Sequence, residues 1–149
     1  MDVSLVEVTK ENVNAVLGLE VAPEQTGLVA TNAKSIAQAH YEPHAWFRAI
    51  ATGDELVGFA MVYREPEARV FYVWRFMIDG RFQGRGYGRD AMKLLLAEAR
   101  SDGVDEVLLN VVPGERSALE FYRRLGFEET GNVQHGELEM RIVLADAQA

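Results

Sequence analysis

The sequence predicts an α+β (mixed α/β) fold, a single domain over residues 1–149 with seven strands and four helices. Three observations carry this. The spacing of apolar residues switches along the chain between strand and helix periods. Two polar turns, Thr52-Gly53-Asp54-Glu55 and Glu65-Pro66-Glu67-Ala68, separate three apolar runs in the way antiparallel neighbours require. In the second half, two amphipathic helices each stand between strands, as crossover connections do. With 149 residues, 48% hydrophobic and 26% charged, the chain can bury one substantial core.

Each element has a local reason. Val3 to Val8 alternates apolar and polar residues and reads as a strand. Thr9 is a candidate N-cap for a helix over Lys10 to Leu19, with Val13, Val16 and Leu17 on one face. Val21 to Gly27 breaks it, and a second helix spans Asn32 to Ala39. Pro43 disfavours helix just before it, which leaves His40 to His44 as a loop. Ala45–Ala51, Leu56–Arg64 and Arg69–Ile78 form three antiparallel strands. The helix from Asp90 to Arg100 places Met92, Leu95, Leu96 and Ala99 on one face, and Gly103 caps its end. Val107–Val112 reads as a buried strand, and Ser117 can cap a helix to Leu125. Two last strands lie near Phe127–Thr130 and Glu137–Leu144, and Ala145–Ala149 reads as a frayed tail.

The stretch from Trp74 to Arg89 organises the rest. It runs as apolar strand, loop with Gly84, Gly86 and Gly88, then helix start. A helix N-terminus offers N–H groups without intrahelical partners, and glycines let the backbone approach an anion closely. Arg81, Arg85, Arg89 and Lys93 recur there although the net charge is −8. Cations in the first turn oppose the helix dipole, a local conflict that a bound phosphate relieves. A P-loop reading fails because Gly88 precedes Arg89-Asp90 instead of Lys-Ser/Thr. For a dinucleotide site, Gly86-Tyr87-Gly88-Arg89-Asp90-Ala91 has the letters. However, Asp79 to Gln83 separate it from the strand, and Asn110-Val111-Val112 supplies no acid for a ribose.

The remaining pattern, Gln83-Gly84-Arg85-Gly86-Tyr87-Gly88, resembles the acyl-CoA pyrophosphate loop of the GCN5-related N-acetyltransferases (the GNAT family). A second hallmark follows at the family's usual distance: Ala118-Leu119-Glu120-Phe121-Tyr122-Arg123-Arg124-Leu125-Gly126-Phe127. The resemblance covers nearly the whole chain. Pro23-Glu24-Gln25, Val57-Gly58-Phe59-Ala60-Met61 and Trp74 to Asp79 look like a bacterial spermine/spermidine (diamine) branch.

This resemblance implies a central mixed, mostly antiparallel seven-stranded sheet flanked by about four helices. It implies acetyl-CoA as donor, held by Phe76, Met77, Ile78, Gln83, Gly84, Arg85, Gly86, Tyr87, Gly88, Arg89, Phe121 and Tyr122. Tyr122 is then the family's position for the acid that protonates the leaving thiolate. The acceptor is a small-molecule amine, a polyamine or diamine first. Family members are often dimers, and no stretch here forces a homodimer. One departure is Glu115, three residues before Ala118, where the family commonly has Asn. A Glu there can cap N–H groups but repels an anionic cofactor.

The acceptor amine must lose a proton, which calls for a base. Glu24, in the loop after the first helix, ranks first, and Glu137 second. Both are also candidates for binding the acceptor, and Glu139, His40 and Glu42 are further carboxylates or bases in reach of sequence reasoning. Arg75 interrupts an apolar strand and, if buried, needs a partner. A structural ion pair with a core-edge acid is the expectation, with ordering of an acceptor-site carboxylate as the alternative. Trp46, Phe47 and Trp74 read as core.

Zero cysteines exclude a thiol acyl-enzyme, and with no Gly-x-Ser-x-Gly elbow direct transfer in a ternary complex is expected. His40, His44 and His135 lack metal-ligand spacing, so no metal is assigned. The pI of about 4.9 argues against nucleic acid as partner. No apolar run reaches the length of a membrane span, and Met1-Asp2-Val3-Ser4 lacks a signal pattern, so a cytoplasmic location is the expectation. Other readings of the same loop are acetylation of an amino acid, an aminoglycoside or a protein N-terminus, a non-catalytic acyl-CoA sensor, and a nicotinamide dinucleotide enzyme.

Overall fold

The computed structural model describes residues 2–114 and 117–144. The elements run β1 (Val3–Val6), α1 (Val13–Leu17), α2 (Asn32–His40), β2 (Ala45–Thr52), β3 (Glu55–Glu65), β4 (Val70–Ile78), α3 (Tyr87–Asp102), β5 (Glu106–Val111), α4 (Leu119–Arg124), β6 (Glu128–Gln134) and β7 (Glu137–Val143). Short 3-10 turns cover Pro23–Gln25, Pro66–Ala68 and Gly80–Phe82. The seven strands form one sheet in the order β1-β2-β3-β4-β5-β7-β6. Every pairing is antiparallel except β4 with β5. Among the described residues, no helix is long and apolar enough to cross a membrane.

Both faces of the sheet are covered, so the central strands are apolar on both sides instead of alternating. One cluster, under α3 and α4, contains Ile50, Val62, Phe71, Met92, Leu95, Leu109, Phe127 and Met140. The other, under α1 and α2, contains Val16, Leu19, Ala49, Phe59, Met61 and Met77, with Phe47 and Trp74 packed on it. Trp46 is half-buried and carries two guanidinium groups on its ring, Arg48 at 4.4 Å and Arg64 at 4.9 Å. Arg64 also ties β3 to α3 through Asp102 at 2.7 Å and Glu98 at 2.9 Å.

Several element boundaries differ from expectation, among them the starts of three helices. The first helix starts at Val13, not Lys10, because Thr9 and Asn12 close a turn first. Thr9 N donates to Asn12 Oδ1 at 2.7 Å and Asn12 N to Thr9 Oγ1 at 3.2 Å. The third helix starts at Tyr87, three residues before Asp90. Gly86 is its N-cap, at φ 87°, a left-handed conformation that glycine adopts without strain. The fourth helix starts at Leu119 with Ala118 as its N-cap, and the expected cap, Ser117, stands one residue earlier, its Oγ accepting from Leu119 N at 2.9 Å. The tail from Ala145 to Ala149 lies outside the described residues.

One irregularity in β4 positions everything that follows. Its partner β3 pairs Met61 with Arg75 but Val62 with Val73, which leaves Trp74 as an extra, bulged residue. On the other side of β4, pairing with β5 consists of Tyr72↔Leu108 and Val73↔Leu109 and stops there. The bulge bends β4 at the point where the parallel ladder ends, and the two strands splay apart. The same bulge keeps the core in phase. Phe71 and Val73 face the α3 side before it, Phe76 and Ile78 after it.

Candidate active site

The splay makes an opening inside the sheet, and two cavities flank it. The first, about 560 Å³, is lined by Phe76, Met77 and Ile78 of β4, by the glycine loop and by Phe121, Tyr122 and Leu125 around α4. The second, about 540 Å³, is lined by Val73 to Phe76, Leu109 to Val112, the segment from Gly27 to Thr31, and Lys34 and Glu137. The two share Leu28, Val29, Phe76, Ser117, Ala118 and Tyr122, so they meet at the mouth of the opening.

The loop that closes the first cavity is built by its own residues. Asp79 is 4% exposed, and its carboxylate accepts from Arg81 N at 2.9 Å, Arg81 Nε at 2.9 Å and Glu20 N at 2.9 Å. Burial alone raises the Asp79 pKa, but these donors, the Arg81 side chain first among them, outweigh it and hold the carboxyl below its usual value. Gln83 braces the loop, its Nε2 donating to Ile78 O and to Gln25 Oε1, both at 2.8 Å. After that brace the chain turns through Gly84 at φ 80° and Gly86 at φ 87° into α3. Among the described residues, no side-chain or loop acceptor is bonded to the N–H groups of Gly84, Arg85, Gly86, Tyr87, Gly88 and Arg89, and Asp90 N is the first to bond back, to Gly86 O at 3.1 Å. Gly88 is buried, and a Cβ there lies 3.1 Å from Phe121. The result is a cradle of unpaired N–H groups at a helix N-terminus, which suits the phosphates of an acyl-CoA.

The basic side chains divide differently from the sequence expectation. Arg81 is taken up by its pair with Asp79, at 2.9 Å, and does not line the first cavity. Arg89 lines the first cavity, paired with Asp90 at 3.3 Å. Arg85 does not line it, and its guanidinium lies 5.6 Å over the Phe82 ring.

Tyr122 closes the junction. It is 7% exposed, packed edge-on against Phe121 at 5.2 Å and Phe127 at 5.8 Å, and fronts both cavities. Burial pushes its phenol well above the ordinary tyrosine value, so it keeps its proton across the physiological range. Phe121 in turn stacks on Phe76 at 6.3 Å, joining α4 to the splayed part of β4.

The candidate acceptor-side residues separate. Glu137 lines the second cavity. Glu24 is exposed on its 3-10 turn and lines neither cavity, while the next residue, Gln25, faces the first one. Glu139 is held by Thr130 Oγ1 at 2.8 Å and Asn132 Nδ2 at 2.9 Å. Glu115 lies outside the described residues.

The ion pair expected for Arg75 is replaced by neutral partners. Its Nη1 donates to Trp74 O and its Nη2 to Gln38 Oε1, both at 3.0 Å, and its buried Nε has no partner. Sequence reasoning missed two residues. Asp79 was findable, since an acid directly after a strand and before Gly-Arg marks a side-chain-capped turn. Gln38 was not, because only the tertiary fold brings it to Arg75.

Residues 19–127 match the model of the acetyltransferase (GNAT) family. The chain is 30% identical to the spermine/spermidine N(1)-acetyltransferase of Bacillus subtilis (strain 168), over 94% of this chain and 97% of that one. Among solved structures, a spermidine N-acetyltransferase SpeG K23-Q34 chimera from Vibrio cholerae and hSSAT has the same fold. Its TM-score is 0.76 at 14% identity, over 99% of this chain and 98% of that chain. The PaiA N-acetyltransferase of Thermoplasma acidophilum, solved with coenzyme A, superposes with a TM-score of 0.74 at 12% identity, over 96% of this chain and 99% of the other. The chain belongs to the acetyltransferase (GNAT) family, and it is an N-acetyltransferase that takes its acetyl group from acetyl-CoA.

Proposed function

We propose that this enzyme acetylates a primary amine of a small acceptor, with diamines and polyamines such as spermidine as the first class, by direct attack in a ternary complex. The observation that carries the transfer geometry is the meeting of two cavities at Tyr122, one under the N–H cradle and one on the far side of the opening. Support for the acceptor class comes from the full-length similarity to the Bacillus relative.

In this reading the acetyl donor supplies the activated thioester. The N–H groups from Gly84 to Arg89 hold its phosphates. The edge of β4 from Trp74 to Ile78, which β5 leaves unpaired, holds its amide-bearing arm as a strand holds a peptide. A main-chain N–H near Met77 or Ile78 faces the thioester oxygen and stabilises the charge that develops on it. The amine, with a free pKa of about 10.4, gives up a proton to a base, and its nitrogen bonds to the carbonyl carbon. The C–S bond breaks, and the leaving sulfur takes the proton of Tyr122. Glu137, in the second cavity, receives the acceptor's ammonium end.

The test is release of free thiol from acetyl-CoA over a panel of amines, with the acetylated product identified by mass. Turnover of spermidine, spermine or a diamine is expected. Binding of acetyl-CoA without turnover of any amine would point to a sensor instead.

A further inference from the structure

The second cavity carries an unbalanced charge that the transfer reaction does not use. Arg75 lines it, and among the described residues no carboxylate forms an ion pair with that guanidinium. Its two bonds go to neutral oxygens, of Gln38 and Trp74, and occupy two of the five N–H donors that a guanidinium offers. Burial disfavours its charged form, with Tyr72 and Glu137 acting through space in the other direction. Lys34 stands on the same lining, so among the described residues two cations share the cavity with one anion, Glu137. Glu137 interacts with Arg75 through space without a direct ion pair, and its carboxylate has no hydrogen-bond donor among the described residues.

A half-buried cation with spare donors beside a cavity is complementary to an anion that enters it. Arg is the side chain whose planar fork suits a carboxylate. Gln38 and the Trp74 carbonyl each hold one nitrogen of that fork, so less order has to be added when a partner arrives. Glu137 on the same lining suits an ammonium. A bare polyamine leaves the guanidinium without a partner, whereas a molecule with both signs meets a partner for each.

We infer that the preferred acceptor is an amine that also bears a carboxylate, of the amino-acid or diamino-acid class, with the carboxylate bound by Arg75 and an ammonium group facing Glu137. This rests on the acetyl transfer proposed above and narrows its acceptor from a plain diamine to one carrying an acid group.

The experiment compares matched pairs differing only in that group: lysine with cadaverine, and ornithine with putrescine. For each, kcat/KM is measured in the wild-type enzyme and in Arg75→Gln and Arg75→Lys. The acid-bearing member is expected to be favoured on the order of 10- to 100-fold in the wild type, the usual worth of a hydrogen bond to a charged group. Arg75→Gln should bring the ratio close to one through the acceptor KM, with the KM for acetyl-CoA unmoved, and Arg75→Lys should keep part of the preference. The wild-type comparison stands even if a variant does not fold. Equal or better turnover of the diamines, or of spermidine alone, overturns the inference and leaves the transfer reading intact. Thiol release with none of these amines removes the transfer reading and the inference with it.

Discussion

The role proposed for Tyr122 rests on burial as much as on its hydroxyl. An exposed phenol can lose its proton to alkaline solvent, whereas this one keeps it and remains a donor to a leaving thiolate. Tyr122→Phe is expected to lower turnover about 10²- to 10⁴-fold, the usual worth of a positioned acid. Because the ring still packs between Phe121 and Phe127, the acetyl-CoA dissociation constant should stay near the wild-type value. Steady-state kinetics with equilibrium binding separate the two quantities, and unchanged turnover would remove Tyr122 as the acid. Tyr122 and the glycines were legible in the sequence because their spacing within one loop or one helix is itself the signal. Glu24 against Gln25 was not, since which of two neighbours on a 3-10 turn faces inward depends on how the turn docks. The partner of Arg75 was not legible either. Among the described residues no acid pairs with it, and Gln38 reaches it from 37 residues away in sequence.

At the level of elements, the bulge at Trp74 decides whether there is a site at all. Removing Trp74 leaves Met61 opposite Arg75 and Val62 opposite Val73, so the β3 pairing survives and the bend does not. A straightened β4 would continue its ladder along β5 and close the opening. Deleting Trp74 is therefore expected to leave a folded protein, by circular dichroism, that binds acetyl-CoA at least about tenfold more weakly. That corresponds to losing two or three main-chain hydrogen bonds of about 0.5–1.5 kcal/mol each. Unchanged affinity would mean that the splay does not depend on the bulge. Strand and helix order followed from periodicity, and all seven strands fall where the sequence places them. The bulge left no mark there, because β4 is apolar on both faces and an extra residue breaks no visible alternation.

At the scale of the whole molecule, Asp79 couples the pieces. Its carboxylate bonds the chain after α1, through Glu20 N, to the end of β4 and the start of the glycine loop. A carboxyl held below its normal pKa adds stability that is fully present above the unfolded value, about 3.9, and is lost as pH falls through the lower folded value. Asp79→Asn should cost about 1–3 kcal/mol at pH 7, roughly 3–10 °C in Tm, with the gap from wild type shrinking below about pH 4. A gap that persists undiminished in acid would assign the effect to packing instead of charge. The splay has a wider consequence. In the proposed site the donor half is largely main chain, N–H groups of a loop and the edge of a strand, which no substitution deletes while the fold stands. The acceptor half is made of side chains, Arg75, Lys34 and Glu137 among them, which a single substitution can replace. The architecture thus fixes what is given and leaves open to evolution what receives it, and chains with as little as 12% identity share this scaffold.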